Sequence, residues 1–367
     1  MPGQSRFPGK PSGGKVGFKI ILANQDDPEH VRAIRRLWDD NLRFVAEGRY
    51  EWLYQDNPAG DTLTCLAVHE EKNEIVGTAS AMRRDFHFDG EICRAGIAID
   101  FAIDADYRVF GPALSLQRTL VEKAWEQGLD LMLGFPNLAA QGVIKRLGYR
   151  QIGSGVRFSR LIRTRGKLKE VFSRRRIPAW LAAPVSLALD TGLYLQNRLG
   201  PVPGEPRILS SMDELEGQWR AFWQANSRQK RFQGVHGEDY VRWRYAQCPY
   251  KDYQLFALLD GEQLVAFLVF SFADGIVLVD DYRFRHARWV KPLFRHFWCR
   301  MRGLGHSVIN VGLVASGETE KLMKEAGFIA RPSPRWGGIL SNPEKGRDWA
   351  VILDQGDWYI TDGEIDL

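Results

Sequence analysis

Two features of this 367-residue chain have residue types and spacing that could do chemistry. The first is Arg108-x-x-Gly111-x-Ala113, placed where an apolar run ending at Ile103 gives way to an amphipathic segment beginning at Pro112. A tight turn containing Gly111, backed by a helix starting at Pro112, points several backbone N–H groups at one spot, and proline suits the first helical position. Such a turn cradles phosphate, and Arg108 adds a fixed positive charge. Taken by itself, the pattern equally describes a simple strand-to-helix turn. The second feature is a pair of carboxylates just ahead of it. Asp100 lies between Ile99 and Phe101, where partial burial raises a carboxyl toward the range a general base needs; Asp104 is nearer the turn. The alternative for Asp100 is a strand-end or sheet-edge residue.

The elements that must position these groups follow from hydrophobic periodicity. The sequence predicts a strand at Phe18–Leu22, a helix at Pro28–Arg43, a short helix at Arg49–Gln55, two strands joined by a polar turn, and a long strand at Cys93–Ile103. A helix (Pro112–Gln127), a strand (Leu129–Gly134), a helix (Leu138–Leu147) and a strand (Tyr149–Phe158) complete this half. The order implies a mixed α/β architecture with a central sheet covered by helices.

The second half repeats the first. Trp52-Leu-Tyr54-Gln-Asp-Asn-Pro58 returns as Trp243-Arg-Tyr245-Ala-Gln-Cys-Pro249, and each copy precedes an apolar strand, a polar turn and a second strand. Near the end of each half a helix stops at glycine followed by an aromatic, Gly148-Tyr149 and Gly327-Phe328, as suits a left-handed helix terminator. Where the first half has its glycine turn, the second has Asp280-Asp-Tyr-Arg283-Phe-Arg-His-Ala-Arg288 and no glycine. A tight phosphate cradle is therefore not expected there.

Arg108-x-x-Gly111-x-Ala113, with its flanking strand and helix and the later Ile144-Lys-Arg-Leu-Gly148-Tyr149, resembles the GNAT superfamily of acyl-CoA-dependent N-acyltransferases. The resemblance spans about 18–160, and the segment 207–345 looks like a second, degenerate copy. It implies two tandem GNAT-like domains and a metal-free reaction with acetyl-CoA as co-substrate. The coenzyme would contact the strand at Phe101, Ala102 and Ile103, the turn at Arg108, Val109, Phe110, Gly111, Pro112 and Ala113, and Asn137 beyond the next strand. Asp100 or Asp104 would serve as base. Many family members carry a tyrosine acid at the position of Ile144, so that acid is missing or comes from elsewhere. Trp52 and Tyr54 fall where such folds border the acceptor cleft, though aromatics at this spacing also serve as core. The acceptor implied is an amine, with an amino sugar or a polysaccharide or glycolipid precursor as first expectation. A FemABX-like aminoacyltransferase and a non-catalytic nucleotide-binding effector are the competing expectations.

Composition narrows these classes. The chain is 44% hydrophobic and 26% charged, which excludes global disorder. Its 50 Lys+Arg against 45 Asp+Glu give +5, yet 160–176 alone holds eight cations and one acid. The remainder is near neutral, and the few aromatics in the basic run argue against nucleic acid. After that run comes the apolar segment from Ile177 to Leu195, giving two readings for Arg160–Leu199: an interdomain connector packed on both halves, or a surface for an anionic membrane. The four cysteines form no C-x-x-C pair and the seven histidines no zinc spacing, so free thiols and no metal are expected. The expected organisation is a polar tail (1–16) without a secretion signal, a coenzyme domain (17–160), a connector (161–206), the degenerate domain (207–345) and an acidic segment (346–367). That last segment is read as a solvated tail or as a segment folding back to place carboxylates near a cleft. The expected setting is cytoplasmic, with peripheral attachment at the inner membrane face as an option.

Overall fold

A computed structural model of the chain describes residues 17–42, 45–108, 111–209, 212–226, 230–314, 317–346, 349 and 357–365. The first half contains β1 (Phe18–Leu22), α1 (Pro28–Asn41), β2 (Leu63–His69), β3 (Glu74–Phe88), β4 (Glu91–Ile103), α2 (Pro112–Glu126), β5 (Leu131–Gly134), α3 (Gln141–Arg146) and β6 (Arg150–Leu161). Two helices follow, α4 (Arg165–Arg174) and α5 (Ala182–Arg198). The second half contains β7 (Glu205–Leu209), α6 (Glu216–Asn226), β8 (Phe232–Gly234), α7 (Glu238–Val241), β9 (Gln254–Asp260), β10 (Gln263–Ala273), β11 (Ile276–Phe284), α8 (Val290–Gly303), β12 (Val308–Val314), α9 (Gly317–Glu325), β13 (Ile329–Ser341) and β14 (Trp358–Thr361). Apart from the small insert β8–α7 and the added strand β14, the order of the first half recurs in the second. The expected strand Phe18–Leu22 is present to the residue. The helix expected from Pro28 is capped by Asp27, which accepts the Glu29 N–H at 2.8 Å, and it ends at Asn41.

Both copies of W-x-Y-x-x-x-P form one wide helical turn closed by a hydrogen bond over five residues, Asp56 N–H to the Glu51 carbonyl and Gln247 N–H to the Arg242 carbonyl, each 2.9 Å. The turns meet face to face. Trp52 donates through Nε1 to the Trp243 carbonyl (2.8 Å), Trp243 donates to the Trp52 carbonyl (2.7 Å), and the indoles stack 5.1 Å apart. This reciprocal pair marks a pseudo-two-fold axis between the halves.

The sheet makes the relation closer than two domains placed side by side. Among the described residues one path runs β1-β2-β3-β4-β5-β13-β6-β12-β11-β10-β9-β7. Strand β13, from the second half, lies between β5 and β6 of the first. Strand β6, from the first, pairs with β12 of the second over Leu161↔Val308 to Gly155↔Val314. Each half therefore completes its sheet with a strand of the other, β13 in the first and β6 in the second. One buried cluster, containing Trp52, Phe86, Trp219, Phe232 and Trp243, spans both halves, and each half centres a further cluster that takes in the exchanged strand, Trp336 of β13 in the first and Phe158 of β6 in the second.

The acidic C-terminal segment is not a solvated tail where it is described. Trp358, Tyr359 and Ile360 are buried, β14 pairs with β12 and β8, and the Glu364 carboxylate is buried against Arg84, with Nε at 2.8 Å from the carboxylate. A tail of alternating acids and aromatics reads as solvated only while its partners are unknown; here a buried arginine neutralises the acid. Asp366 and Leu367 lie outside the described residues, as do the 1–16 tail, Val109 and Phe110.

Candidate active site

In the first half β4 and β5 run parallel from Ala95↔Leu131 to Ala98↔Gly134 and then separate. Just beyond that point β4 is bulged against β3, where its register shifts between Thr78↔Ala102 and Ser80↔Ile99. Asp100, inside the bulge, has φ of +51°, a left-handed backbone that a residue with a Cβ adopts only under constraint. The constraint is visible. Both Asp100 oxygens accept from the Arg49 guanidinium, at 2.8 and 2.9 Å, and Oδ2 also accepts from the Tyr54 hydroxyl at 2.8 Å. Tyr54 in turn lies 2.8 Å from the Ser80 hydroxyl. Burial, and then the Asp100 charge, push the Tyr54 phenol well above its ordinary value, so it remains a hydrogen-bond donor.

The opening between β4 and β5 holds a cavity of about 390 Å³. Asp100, Phe101 and Asn137 line it, joining three of the residues expected at the site. Asn137, at the head of the next helical segment, caps it by accepting the Ala140 N–H at 3.0 Å. Ile144, where the resemblance would place a tyrosine, contributes only hydrocarbon to the wall. Among the lining residues that the sequence did not single out are Arg49 ahead of the wide turn, Tyr250 from the second half, and Ile365 beyond β14. The fold brings the last two there from more than a hundred residues away. Tyr250 alone left a local trace, since it follows the repeated proline directly.

The turn after β4 has the expected form where it is described. Gly111 has φ of +95° and immediately precedes α2, with Pro112 in the first turn and no acid there. Among the described residues, a Cβ at Gly111 would meet nothing within 4 Å. Arg108 is engaged: it donates to the Ile103 carbonyl (3.2 Å) and the Asn41 side chain (2.6 Å), bracing the turn between β4 and α1. Ala102 and Ile103 are buried, and Ala113 is half-buried. Asp104 does not line the cavity. It caps the short turn Ala105–Tyr107 and lies 3.4 Å from Arg36. Nor do Trp52 and Tyr54 line it; the first lies on the pseudo-axis and the second lies behind Asp100, so both take the core placement weighed for them. No group of three or more His, Cys, Asp or Glu residues suited to a metal occurs among the described residues.

Residues 31–149 match the family model described as acetyltransferase (GNAT) family. No curated protein matches the sequence. Solved structures do. A conserved protein of Enterococcus faecalis V583, described as a probable N-acyltransferase, is 11% identical, with 89% of this chain and 73% of that one covered at a TM-score of 0.62. A GCN5-related N-acetyltransferase of Anabaena variabilis is also 11% identical, at 88% and 72% coverage and a TM-score of 0.61. The N-myristoyltransferase of Saccharomyces cerevisiae, solved with myristoyl-CoA, is 10% identical, with 98% and 91% covered at a TM-score of 0.57. At these identities the likeness is one of fold.

Proposed function

We propose, for a chain whose residues 31–149 belong to the GNAT family, that the protein is an N-acyltransferase using acyl-CoA, with acetyl-CoA the first donor to test. The observation that carries this reading is the opening between β4 and β5, whose walls present Asp100, Tyr250 and Gln117 of α2, the helix that follows Gly111. A flexible thioester fits such a crevice, and a pyrophosphate fits the N–H groups after Gly111.

The acceptor is an amine; amino sugars and polysaccharide or glycolipid precursors are the class to try first. Its nitrogen bonds to the thioester carbon as the carbon–sulfur bond breaks. Asp100 takes the proton the nitrogen sheds, directly or through a water. The transfer becomes favourable once the new bond has made the nitrogen cationic and acidic. Backbone amides of the bulge near Phe101 steady the developing oxyanion. Tyr250, the one phenol lining the cavity among the described residues, gives its proton to the departing thiolate and fills the role that Ile144 cannot.

Calorimetry with acetyl-CoA and with longer acyl-CoAs tests the proposal. Saturable binding that Gly111→Trp removes, in a variant that remains folded, supports it. No binding of any acyl-CoA overturns it.

A further inference from the structure

Helix α5 is packed inside out. Its inward stripe is Ala182, Ser186, Asp190, Leu193 and Asn197, four of them small or polar. Asp190 accepts the Thr164 N–H at 2.8 Å, and Asn197 accepts from Arg160. The large apolar side chains point the other way. Seven of the thirteen large hydrophobics exposed among the described residues fall between Trp180 and Leu199, with Trp180 72%, Leu187 70% and Leu199 69% exposed. From Ala182 to Asn197 the only charged residue is Asp190, which is on the inward stripe, so the outward face carries no charge over four turns. Solvated helices do not read this way; an exposed apolar patch of this extent marks a covered surface. The patch continues beyond the helix, since Leu189 and Leu199 share a cavity with the exposed Ile329, whose wall also bears Lys291 and Arg295.

The charge beside the patch identifies what covers it. Helix α4, antiparallel neighbour of α5, and the turn after it expose Arg165, Lys167, Lys169, Arg174, Arg175 and Arg176. Their single acid, Glu170, is shared by Lys167 and Arg174, and its carboxyl is held below the ordinary range chiefly by the hydrogen bond from Lys167. The other four cations have no acidic partner within ion-pair distance among the described residues. Apolar side chains that need a dry surface, next to cations that need anions, match the interface of an anionic bilayer, where the two attractions act together. No helix among the described residues is long and apolar enough to cross a membrane. We infer that the α4–α5 hairpin is a monotopic anchor: α5 lies in the plane of an anionic lipid surface with Trp180, Leu187, Leu195 and Leu199 inserted, and the cations of α4 contact the lipid phosphates. The inference is independent of the acyl-transfer proposal and stands or falls without it.

Flotation of the full chain with vesicles of phosphatidylcholine alone, or mixed with phosphatidylglycerol, tests it. The protein is expected to float with the mixed vesicles only, less so as salt rises. Lys169→Glu, Arg175→Glu and Arg176→Glu together should weaken partitioning on the order of a hundredfold. Leu187→Glu with Leu195→Glu should weaken it on the order of tenfold or more. All five positions are exposed, so an unchanged melting temperature accompanies each loss. Equal flotation with neutral vesicles, or flotation untouched by either set, overturns the inference. So does a dimer in vesicle-free buffer that the leucine variants convert to monomer, because a second copy of the chain would then be what covers the patch.

Discussion

The two halves open their sheets at the same place and do opposite things with the opening. In the first, β4 and β5 part after Gly134 and leave a cavity. In the second, β11 and β12 run parallel from Ile276↔Val308 to Val279↔Val311 and part likewise, but β14 and the turn Asp362–Glu364 occupy the gap. The bulge is kept in both, at Asp100 and at Asp280–Asp281, and so is the tyrosine reaching it, Tyr54 or Tyr245. Only the company of the carboxylate differs. Asp100 has Arg49 and faces a cavity. Asp281 has His236 at 2.7 Å, is fully buried, and also accepts from Thr361 of the inserted strand. One local device thus lines a cavity in one copy and serves as mortar in the other. What decides is whether a strand is available to fill the gap.

The sharpest way to break this comparison is to make the same change in both halves. Asp100→Asn should lower kcat for amine acylation by roughly 10²–10⁴-fold, the usual span for a lost general base. Asp281→Asn should leave kcat of the folded protein within a few fold and lower the melting temperature instead. Equal effects on kcat would dissolve the distinction. The proposed acid is tested alongside: Tyr250→Phe should cut kcat by a similar factor without raising KM for the acyl donor, read by steady-state kinetics.

Next in size is the ion pair that fastens the insert. Glu364→Ala strands a buried Arg84 and should cost about 3–5 kcal/mol in chemical denaturation. Little change there would mean that the insert is held by its aromatics alone.

Acid should loosen the filled opening before the empty one. Burial by itself would raise the carboxyls of Asp281 and Glu364, yet His236 and Arg283 around the first, and Arg84 and His236 around the second, hold both below their ordinary values. The unfolded chain takes up these protons near pH 4 and the native chain only at lower pH, so both groups stabilise the fold above about pH 4 and that contribution drains away below it. Hydrogen exchange of the β14 amides should therefore accelerate, as the pH falls through about 4, before that of β2 or β3. An unchanged ranking would contradict the reading.

The smallest effect concerns Gly111, which has no counterpart in the second half. Gly111→Ala places a Cβ in open space but on a left-handed backbone, so stability should fall by about 1–2 kcal/mol. Binding of acetyl-CoA should weaken with it, as calorimetry would report.

Local pattern made the element order legible, along with the duplication, the glycine turn, and Asp100 and Asn137 at the cavity, because each is written within a dozen residues. The W-x-Y-x-x-x-P repeat located both wide turns but not their meeting; nothing in a seven-residue motif says that Trp52 and Trp243 donate to each other. The exchange of β6 and β13 was illegible for the same reason: an apolar strand fits any open edge, and which edge it takes is a property of the whole sheet. The tail was misleading by composition, although Trp358-Tyr-Ile-Thr361, a run of strand formers among acids, was a usable hint. The connector misled in the opposite sense. An apolar helix between domains is expected to turn its leucines inward, whereas α5 packs on alanine, serine and asparagine and leaves most of its leucines outside.

The strand exchange also has a consequence in time. When the ribosome has finished β6, the sheet of the first half still lacks the strand between β5 and β6, and that strand, β13, emerges roughly 170 residues later. At ordinary elongation rates this is a wait of roughly 10–30 s. Throughout it the nascent chain presents unpaired strand edges beside half-built apolar faces, a standing invitation to the wrong partner. Folding of the first half is therefore gated by synthesis of the second, and a stalled or truncated message yields an aggregation-prone fragment rather than a finished first half.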